Sequence, residues 1–204
     1  MTDEIIDFVA ESQRFAPHFH IPLQSGNNKQ LMQMRRRYKR ELYQSRIEKI
    51  KSVMPHACIG VDVIVGFPGE TEEDFKETYN FINSLDISYL HVFTYSERAN
   101  TAAIDMDCVV PMNVRRERNE MLRILSEKKK RAFYNQFLGQ TRPVLFEKHK
   151  DTRFLTGFTD NYIKIELEKT VDTEGLVNWV LPVTLQDFND EGDVKAQLAV
   201  AELA

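Results

Sequence analysis

Three apolar runs in the first half of the chain each end in small or polar residues, and this recurrence constrains the fold more than any other feature. They are His20-Ile21-Pro22-Leu23-Gln24-Ser25-Gly26-Asn27-Asn28, Asp62-Val63-Ile64-Val65-Gly66-Phe67-Pro68-Gly69-Glu70-Thr71 and Phe93-Thr94-Tyr95-Ser96-Glu97-Arg98. Helix-like sequence follows the first two. A parallel α/β sheet reads this way, because its ligand-bearing rim lies where strands end and loops begin. Cys58 to Val65 is filled with β-branched residues, as a strand covered on both faces requires.

The remaining punctuation of this half agrees. Asp3, Glu4 and the apolar stripe Ile5, Ile6, Val9, Ala10 predict a helix over 2–12. His18 to Leu23 reads as a strand, with Gly26 and the asparagines after it free to take left-handed backbone. Gln30 to Val53 reads as one helix ended by Pro55, with Leu31, Met34, Tyr38, Leu42, Ile47 and Ile50 facing inward. Thr71 followed by Glu72, Glu73 and Asp74 predicts a capped helix over Glu73 to Leu85. Ser88 to Thr94 is a third strand, and Val114 to Leu138 a long charged helix that Gly139 ends.

Past Gly139 the texture changes. Val144 to Glu147, Phe154 to Phe158, Tyr162 to Leu167, Val177 to Leu185 and Val194 to Leu198 read as five short strands. Turn residues at Asp151, Asp160-Asn161, Thr173-Glu174-Gly175 and Asn189 to Gly192 separate them. Five such strands predict a small antiparallel β-barrel, OB-like, of a class that often binds nucleic acid. The expected domains are therefore 1–138 and 139–204.

The formal charge of −4 conceals a segregation of charge. Arg35, Arg36, Arg37, Lys39, Arg40, Arg46 and Lys49 form one basic stretch, and Arg115 to Arg131, including Lys128 and Lys129, forms another. Each run alone reads as a solvated helix face; two on a mildly acidic chain suit a local phosphate-facing surface. Two cysteines, Cys58 and Cys108, are too few for a disulfide framework and read as free thiols in a reducing compartment. No apolar run approaches the roughly 18 residues of a membrane span. The acidic N-terminus lacks a signal-peptide layout, so the expected location is cytoplasmic, with no membrane partner.

Taken singly, the strand-end segments are weak signals. Gly60-x-Asp62-x-Ile64-x-Gly66-x-x-Gly69-Glu70 can let a planar ligand lie against bare backbone, but many α/β turns need such residues for geometry alone. Gln24 and Ser25 could hold a ribose or a carboxylate, or merely cap the next helix. Tyr95, Ser96 and Arg98 could hold a carboxylate or phosphate, or Arg98 could be a surface ion pair of small value.

Jointly and in this order, His-x-Pro-x-Gln-Ser-Gly, Asp-x-Ile-Val-Gly-Phe-Pro-Gly-Glu-Thr and Tyr-Ser-x-Arg resemble the fourth to sixth strands of the radical S-adenosylmethionine barrel of tRNA methylthiotransferases. The C-terminal strands, with Thr156-Gly157-Phe158-Thr159-Asp160-Asn161-Tyr162 and Gly175-Leu176-Val177, are similar to the TRAM domain of that family. Asn161-Tyr162 and His18-Phe19-His20-Ile21 resemble the branch acting on threonylcarbamoyl-adenosine rather than the isopentenyl-adenosine or ribosomal-protein branches. In place of the family's Pro-Gly-Thr after the last arginine stands Ala99-Asn100-Thr101, whose asparagine can preserve a left-handed turn.

The resemblance implies an S-adenosylmethionine site at Gln24, Ser25, Gly66, Glu70, Tyr95, Ser96 and Arg98. It implies a tRNA surface, engaging the anticodon stem-loop, at Arg35, Arg36, Arg37, Lys128, Lys129, Arg131, Arg142, Arg153 and Tyr162. It implies two [4Fe–4S] clusters in the parent enzyme, one generating an adenosyl radical that abstracts hydrogen from C2 of the modified adenosine at position 37, the other helping to deliver sulfur. The family's Cys-x-x-x-Cys-x-x-Cys motif is not in this sequence, so by the family pattern the chain is a C-terminal fragment. It is expected to carry no catalytic residue and no metal ligand, and to be inactive alone. The alternatives are an RNA-binding module without catalysis and another radical enzyme of porphyrin or hopanoid type, which the terminal barrel disfavours. An open half-barrel would expose a strand edge and an apolar face, which drives self-association.

Overall fold

The structure, a computed structural model, describes residues 1–148, 153–170, 173 and 175–199. The chain divides into two compact units, one of Met1–Glu11 with Phe19–Lys130, the other of Ser12–His18 with Arg131–Ala204.

The first unit is built on a three-stranded sheet in the order β1 (His18–His20), β2 (Cys58–Val65), β3 (Tyr89–Thr94). β2 and β3 are parallel, with Gly60 opposite Tyr89, Asp62 opposite His91 and Val65 opposite Thr94. The period of two along β2 sends Ile59, Val61, Val63 and Val65 to one face, all fully buried among Ile47, Ile50, Phe75, Ile82 and Leu122. Gly60, Asp62, Ile64 and Gly66 alternate with them. The helices are α1 (Asp3–Glu11), α2 (Asn28–Gln33), α3 (Arg40–Val53), α4 (Glu72–Ser84) and α5 (Met112–Asn135).

α4 begins as its sequence predicts. Thr71 caps it, its hydroxyl accepting the Asp74 N–H while the Asp74 carboxylate accepts the Thr71 N–H, a reciprocal capping box. Asp74 does more than cap: it also receives the Lys29 ammonium at 2.7 Å, the Asn27 amide at 3.3 Å and the Gln30 amide at 3.4 Å. Burial pushes the carboxyl up, but the Lys29 hydrogen bond and charge and the Thr71 N–H outweigh it and hold Asp74 below the ordinary carboxylate range. Such a group stabilises the fold fully above its unfolded pKa, and that stabilisation is lost as pH falls through the lower folded value. Asp74→Asn should therefore lower the melting temperature at neutral pH and flatten the acid limb of the stability curve below about pH 4; equal acid limbs for the two proteins would refute this.

Gln30 to Val53 is not one helix. α2 stops at Gln33, Arg35 sits at φ 55°, and α3 restarts with Lys39 at its N-cap. The break is tertiary in origin. The Asn28 side-chain oxygen Oδ1 accepts the Arg40 N–H at 2.9 Å while its amide Nδ2 donates to Glu41, so the side chain of one helix start fastens the next. Tyr38 donates its hydroxyl to the Leu23 carbonyl at 2.9 Å and is thereby fixed in the connection. Arg35, Arg36 and Arg37 consequently lie on an exposed turn, not a helix face. Gly26, free to take left-handed backbone, does not; Gln24 takes φ 71° instead, and Gly26 is needed because a Cβ would meet Phe81 at 2.9 Å. Asn100 does adopt left-handed backbone, φ 64°.

The second unit is a closed barrel of β4 (Thr141–Lys148), β5 (Phe154–Thr159), β6 (Lys164–Glu168), β8 (Val194–Leu198) and β7 (Val180–Phe188), in that ring order. Neighbours are antiparallel except β6 and β8, which run parallel with Ile165 opposite Val194. The barrel is thus mixed where a purely antiparallel one was expected. Parity dictates this: directions that alternate around a ring of odd membership must repeat once. Val144, Phe146, Leu155, Ile165, Val183, Leu185 and Val194 fill the interior. Of the expected turns, Asp151 and Glu174 fall outside the described residues.

Candidate cofactor cleft and basic surfaces

The carboxyl ends of the three strands converge on a cleft of about 870 Å³. Gln24 bridges to Val63 in parallel register, and the Tyr95 N–H donates to the Val65 carbonyl at 2.9 Å, which places the residues after each strand on one edge. Gln24, Tyr95, Ser96 and Arg98 line the cleft. Ile64, Phe67, Phe93 and Met106 supply its apolar walls, and Arg35 and Arg36 add positive charge. The sequence reading missed these apolar positions and Gln33, although the period of two along β2 and β3 implies Ile64 and Phe93.

Ser25, Gly66 and Glu70 stand behind the cleft. Ser25 is fully buried, its hydroxyl paired with that of Thr78 at 3.1 Å. The Glu70 carboxylate accepts the Gly66 N–H at 2.8 Å and Arg118 Nη1 at 2.6 Å. Burial raises the Glu70 pKa against the pull of those two donors. Gly66, at φ 76°, has Arg115 where a Cβ would be. Arg115 in turn donates to the carbonyls of Val110 and Tyr95 and to the Glu97 carboxylate at 2.6 Å. Two buried arginines therefore brace the cleft from α5, a role opposite to the phosphate-facing one expected of their stretch.

The other basic residues are partly committed as well. Lys129 donates to the carbonyls ending α4, at Asn83 and Leu85, and burial lowers its pKa. Arg131 lies 4.3 Å over the Phe188 ring, Arg153 5.5 Å over Phe154, and Arg142 forms a bidentate pair with Asp160. Tyr162 stacks on His18 at 3.7 Å and on Phe158 at 4.6 Å, both nearly parallel. Two rings at those separations cannot share one face, so His18 and Phe158 cover opposite faces of the tyrosine. A base stacking on Tyr162, which is 40% exposed, would therefore compete with these rings. Arg36, Arg37 and Lys128 remain exposed.

Comparison with known proteins shows what this arrangement is similar to. Residues 1–82 match the radical SAM superfamily. The threonylcarbamoyladenosine tRNA methylthiotransferase MtaB of Bacillus subtilis is 40% identical over 181 residues, covering 87% of this chain and 40% of that protein. The protein of that name from Aquifex aeolicus is 41% identical over 82% of this chain and 40% of its own length. The tRNA-2-methylthio-N(6)-dimethylallyladenosine synthase of Pelotomaculum thermopropionicum is 38% identical over 89% of this chain and 40% of its own length. Over most of its length the chain is similar to radical S-adenosylmethionine tRNA methylthiotransferases.

The chain spans about 40% of the length of these relatives. Its cleft fits S-adenosylmethionine: the Tyr95 hydroxyl and Gln33 Oε1 are buried without a hydrogen-bond partner, two polar atoms in cleft-lining residues that a bound ligand can satisfy. Iron–sulfur ligation does not fit these residues. Cys58 is buried in β2, where burial pushes its thiol up to about 11, and Cys108 is exposed. Two thiols of that kind do not make a three-thiolate cluster site. Among the described residues no helix is long and apolar enough to cross a membrane.

Proposed function

We propose that this chain supplies the substrate-binding portion of a tRNA methylthiotransferase in the cytoplasm, acting on N6-threonylcarbamoyladenosine at position 37. The observation that carries the reading is the polar and apolar cleft at the carboxyl edge of the sheet, with its buried, unsatisfied Tyr95 hydroxyl. When bound there, S-adenosylmethionine supplies an adenosyl radical and a methyl group in enzymes of this class. Gln24, Gln33, Tyr95 and Ser96 would hold its polar groups, Ile64, Phe67 and Phe93 its adenine, and Arg98 its carboxylate. Ser25, Gly66 and Glu70 position the loop that makes the cleft. The closed barrel is read as a TRAM domain that holds the anticodon stem-loop, and Arg36, Arg37 and Lys128 of the first unit are read separately as RNA phosphate contacts. Preference for threonylcarbamoyladenosine rests on Asn161-Tyr162 and His18 to Ile21. Relatives named for the dimethylallyladenosine reaction match nearly as well, so the two RNAs must be compared directly.

The experiment is a titration of this chain with anticodon stem-loops carrying threonylcarbamoyladenosine, isopentenyladenosine or adenosine, over a series of salt concentrations. Affinity should fall steeply with salt, and Arg36→Glu with Arg37→Glu should reduce the log–log slope by roughly 0.7 per phosphate contact removed from single-stranded loop. The threonylcarbamoyl stem-loop should bind most tightly. Salt-independent binding would remove the RNA reading, and a preference for the isopentenyl form would reassign the branch. S-adenosylmethionine should bind weakly and Tyr95→Phe should weaken it further; tight binding indifferent to Tyr95 would move the cofactor site elsewhere.

A further inference from the structure

Strand register assembles one grouping that the sequence reading passed over. His20 on β1, Asp62 on β2 and His91 on β3 meet across three adjacent strands, and their ligand-capable atoms lie within 4.8 Å of one another. His20 Nε2 is 2.7 Å from Asp62 Oδ1, and His91 Nδ1 is 3.4 Å from the same oxygen. The two imidazole rings are 5.0 Å apart between centroids. Asp62 and His91 are directly opposed residues of the parallel β2–β3 pair, so their approach is set by the sheet and not by a loop. β1 is tied to the same place by the Ile21 N–H to the Gly60 carbonyl and the Leu23 and Gln24 N–H groups to the Asp62 carbonyl.

We propose that His20, Asp62 and His91 form a binding site for a divalent transition metal ion at the edge of the cleft, which Asp62 also lines. The donor set is two imidazole nitrogens and one carboxylate oxygen, which suits zinc, cobalt(II), nickel or iron(II) and not magnesium or calcium. Ligands held by bonds of about 2.1 Å lie roughly 3.0–3.4 Å apart in octahedral or tetrahedral arrangements; the two nitrogen-to-oxygen separations bracket that span. Small rotations of His20 and His91 about their side-chain bonds, with side-chain exposures of 35% and 54%, bring both nitrogens onto one ion. Among the described residues no lysine or arginine lies within ion-pair distance of Asp62, so no fixed cation competes for it. The remaining coordination positions open to solvent, as in sites that bind a water or a substrate oxygen. Site residues on three strands of one sheet are held more precisely than residues on loops.

The test uses the tag-free full chain carrying Cys108→Ser, so that the exposed thiol cannot supply a ligand. Titration with Co2+ should give visible ligand-field bands saturating at one equivalent, without a thiolate-to-metal band, and Zn2+ should displace them. His20→Ala, His91→Ala and Asp62→Asn should each weaken binding by more than about tenfold, the lower end of what even outer-shell losses cost. His56→Ala should leave it unchanged. His20→Gln and His91→Gln stand in should either alanine variant fail to show the parent's melting curve. No ligand-field spectrum, or one that survives all three substitutions, would overturn the proposal and leave the group a hydrogen-bonded cluster.

Discussion

Replacing Arg118 by leucine should destabilise the first unit by about 3–5 kcal/mol, the cost of leaving one member of a buried ion pair without its counter-charge. The two side chains are 6% and 1% exposed, and the Arg118 guanidinium also reaches the Glu70 carbonyl at 3.2 Å. The Glu70 carboxylate carries the Gly66 N–H as well, so the loss spreads into the turn after β2. The deficit should depend on pH with a definite sign. Burial raises the Glu70 pKa already, and removing Arg118 removes an opposing influence, so the folded value climbs further. A group whose folded pKa exceeds its unfolded one contributes stability below the unfolded value and loses it as pH rises through the folded value. The variant should therefore approach the parent's stability in acid and fall furthest behind at neutral pH. Glu70→Gln combined with Arg118→Leu should recover much of the loss, because no unpaired charge remains. Calorimetric unfolding that resolves the first unit's transition checks both statements. A deficit below about 1 kcal/mol, the range of exposed pairs, would show that water reaches this one.

The behaviour of Arg115 and Arg118 shows where sequence reading stops. In the sequence they belong to a run of positive charge on a helix, and such runs are ordinarily solvated. Their burial depends on Glu70 and Glu97, which arrive from loops distant in sequence, and no local pattern announces those partners. The break between α2 and α3 has the same origin: apolar spacing runs on through Tyr38, but Asn28 side-chain contacts to Arg40 and Glu41 restart the helix. By contrast, the strand ends at Gln24, Gly66 and Tyr95 were legible, since β-branched runs followed by small residues are a local signal with a sheet-level meaning. The Thr71 and Asp74 box was legible for the same reason. The mixed barrel was half legible: the strands follow from alternation, and the parallel pair follows from their odd number. Tyr162 was not. Its φ of 67° belongs to the local turn after β5, but its stacking on His18 comes from a segment far away in sequence.

Gly66→Val should be the most damaging single substitution at the cofactor cleft, and it should act through stability before it acts on any ligand. At φ 76° a β-branched residue carries strain of about 1–3 kcal/mol. A Cβ there would also stand 2.4 Å from Arg115 Cγ and 2.9 Å from its Cδ, and overpacking of this kind adds about 1–3 kcal/mol. Arg115 cannot swing aside cheaply, because its guanidinium is buried and joined to the carbonyls of Val110 and Tyr95 and to Glu97. Its displacement would carry Tyr95 and Ser96 with it and deform the cleft wall. Gly69 provides the control within the same turn: its φ is 80°, yet a Cβ there meets only the end of the Gln33 side chain, at 3.3 Å. Gly69→Ala should therefore cost the backbone strain alone, and Gly66→Ala more than Gly69→Ala by the overpacking part. Thermal unfolding of the three variants separates the contributions. Equal losses for the two alanine variants would mean that Arg115 yields freely, and the bracing of the cleft by α5 would then be absent.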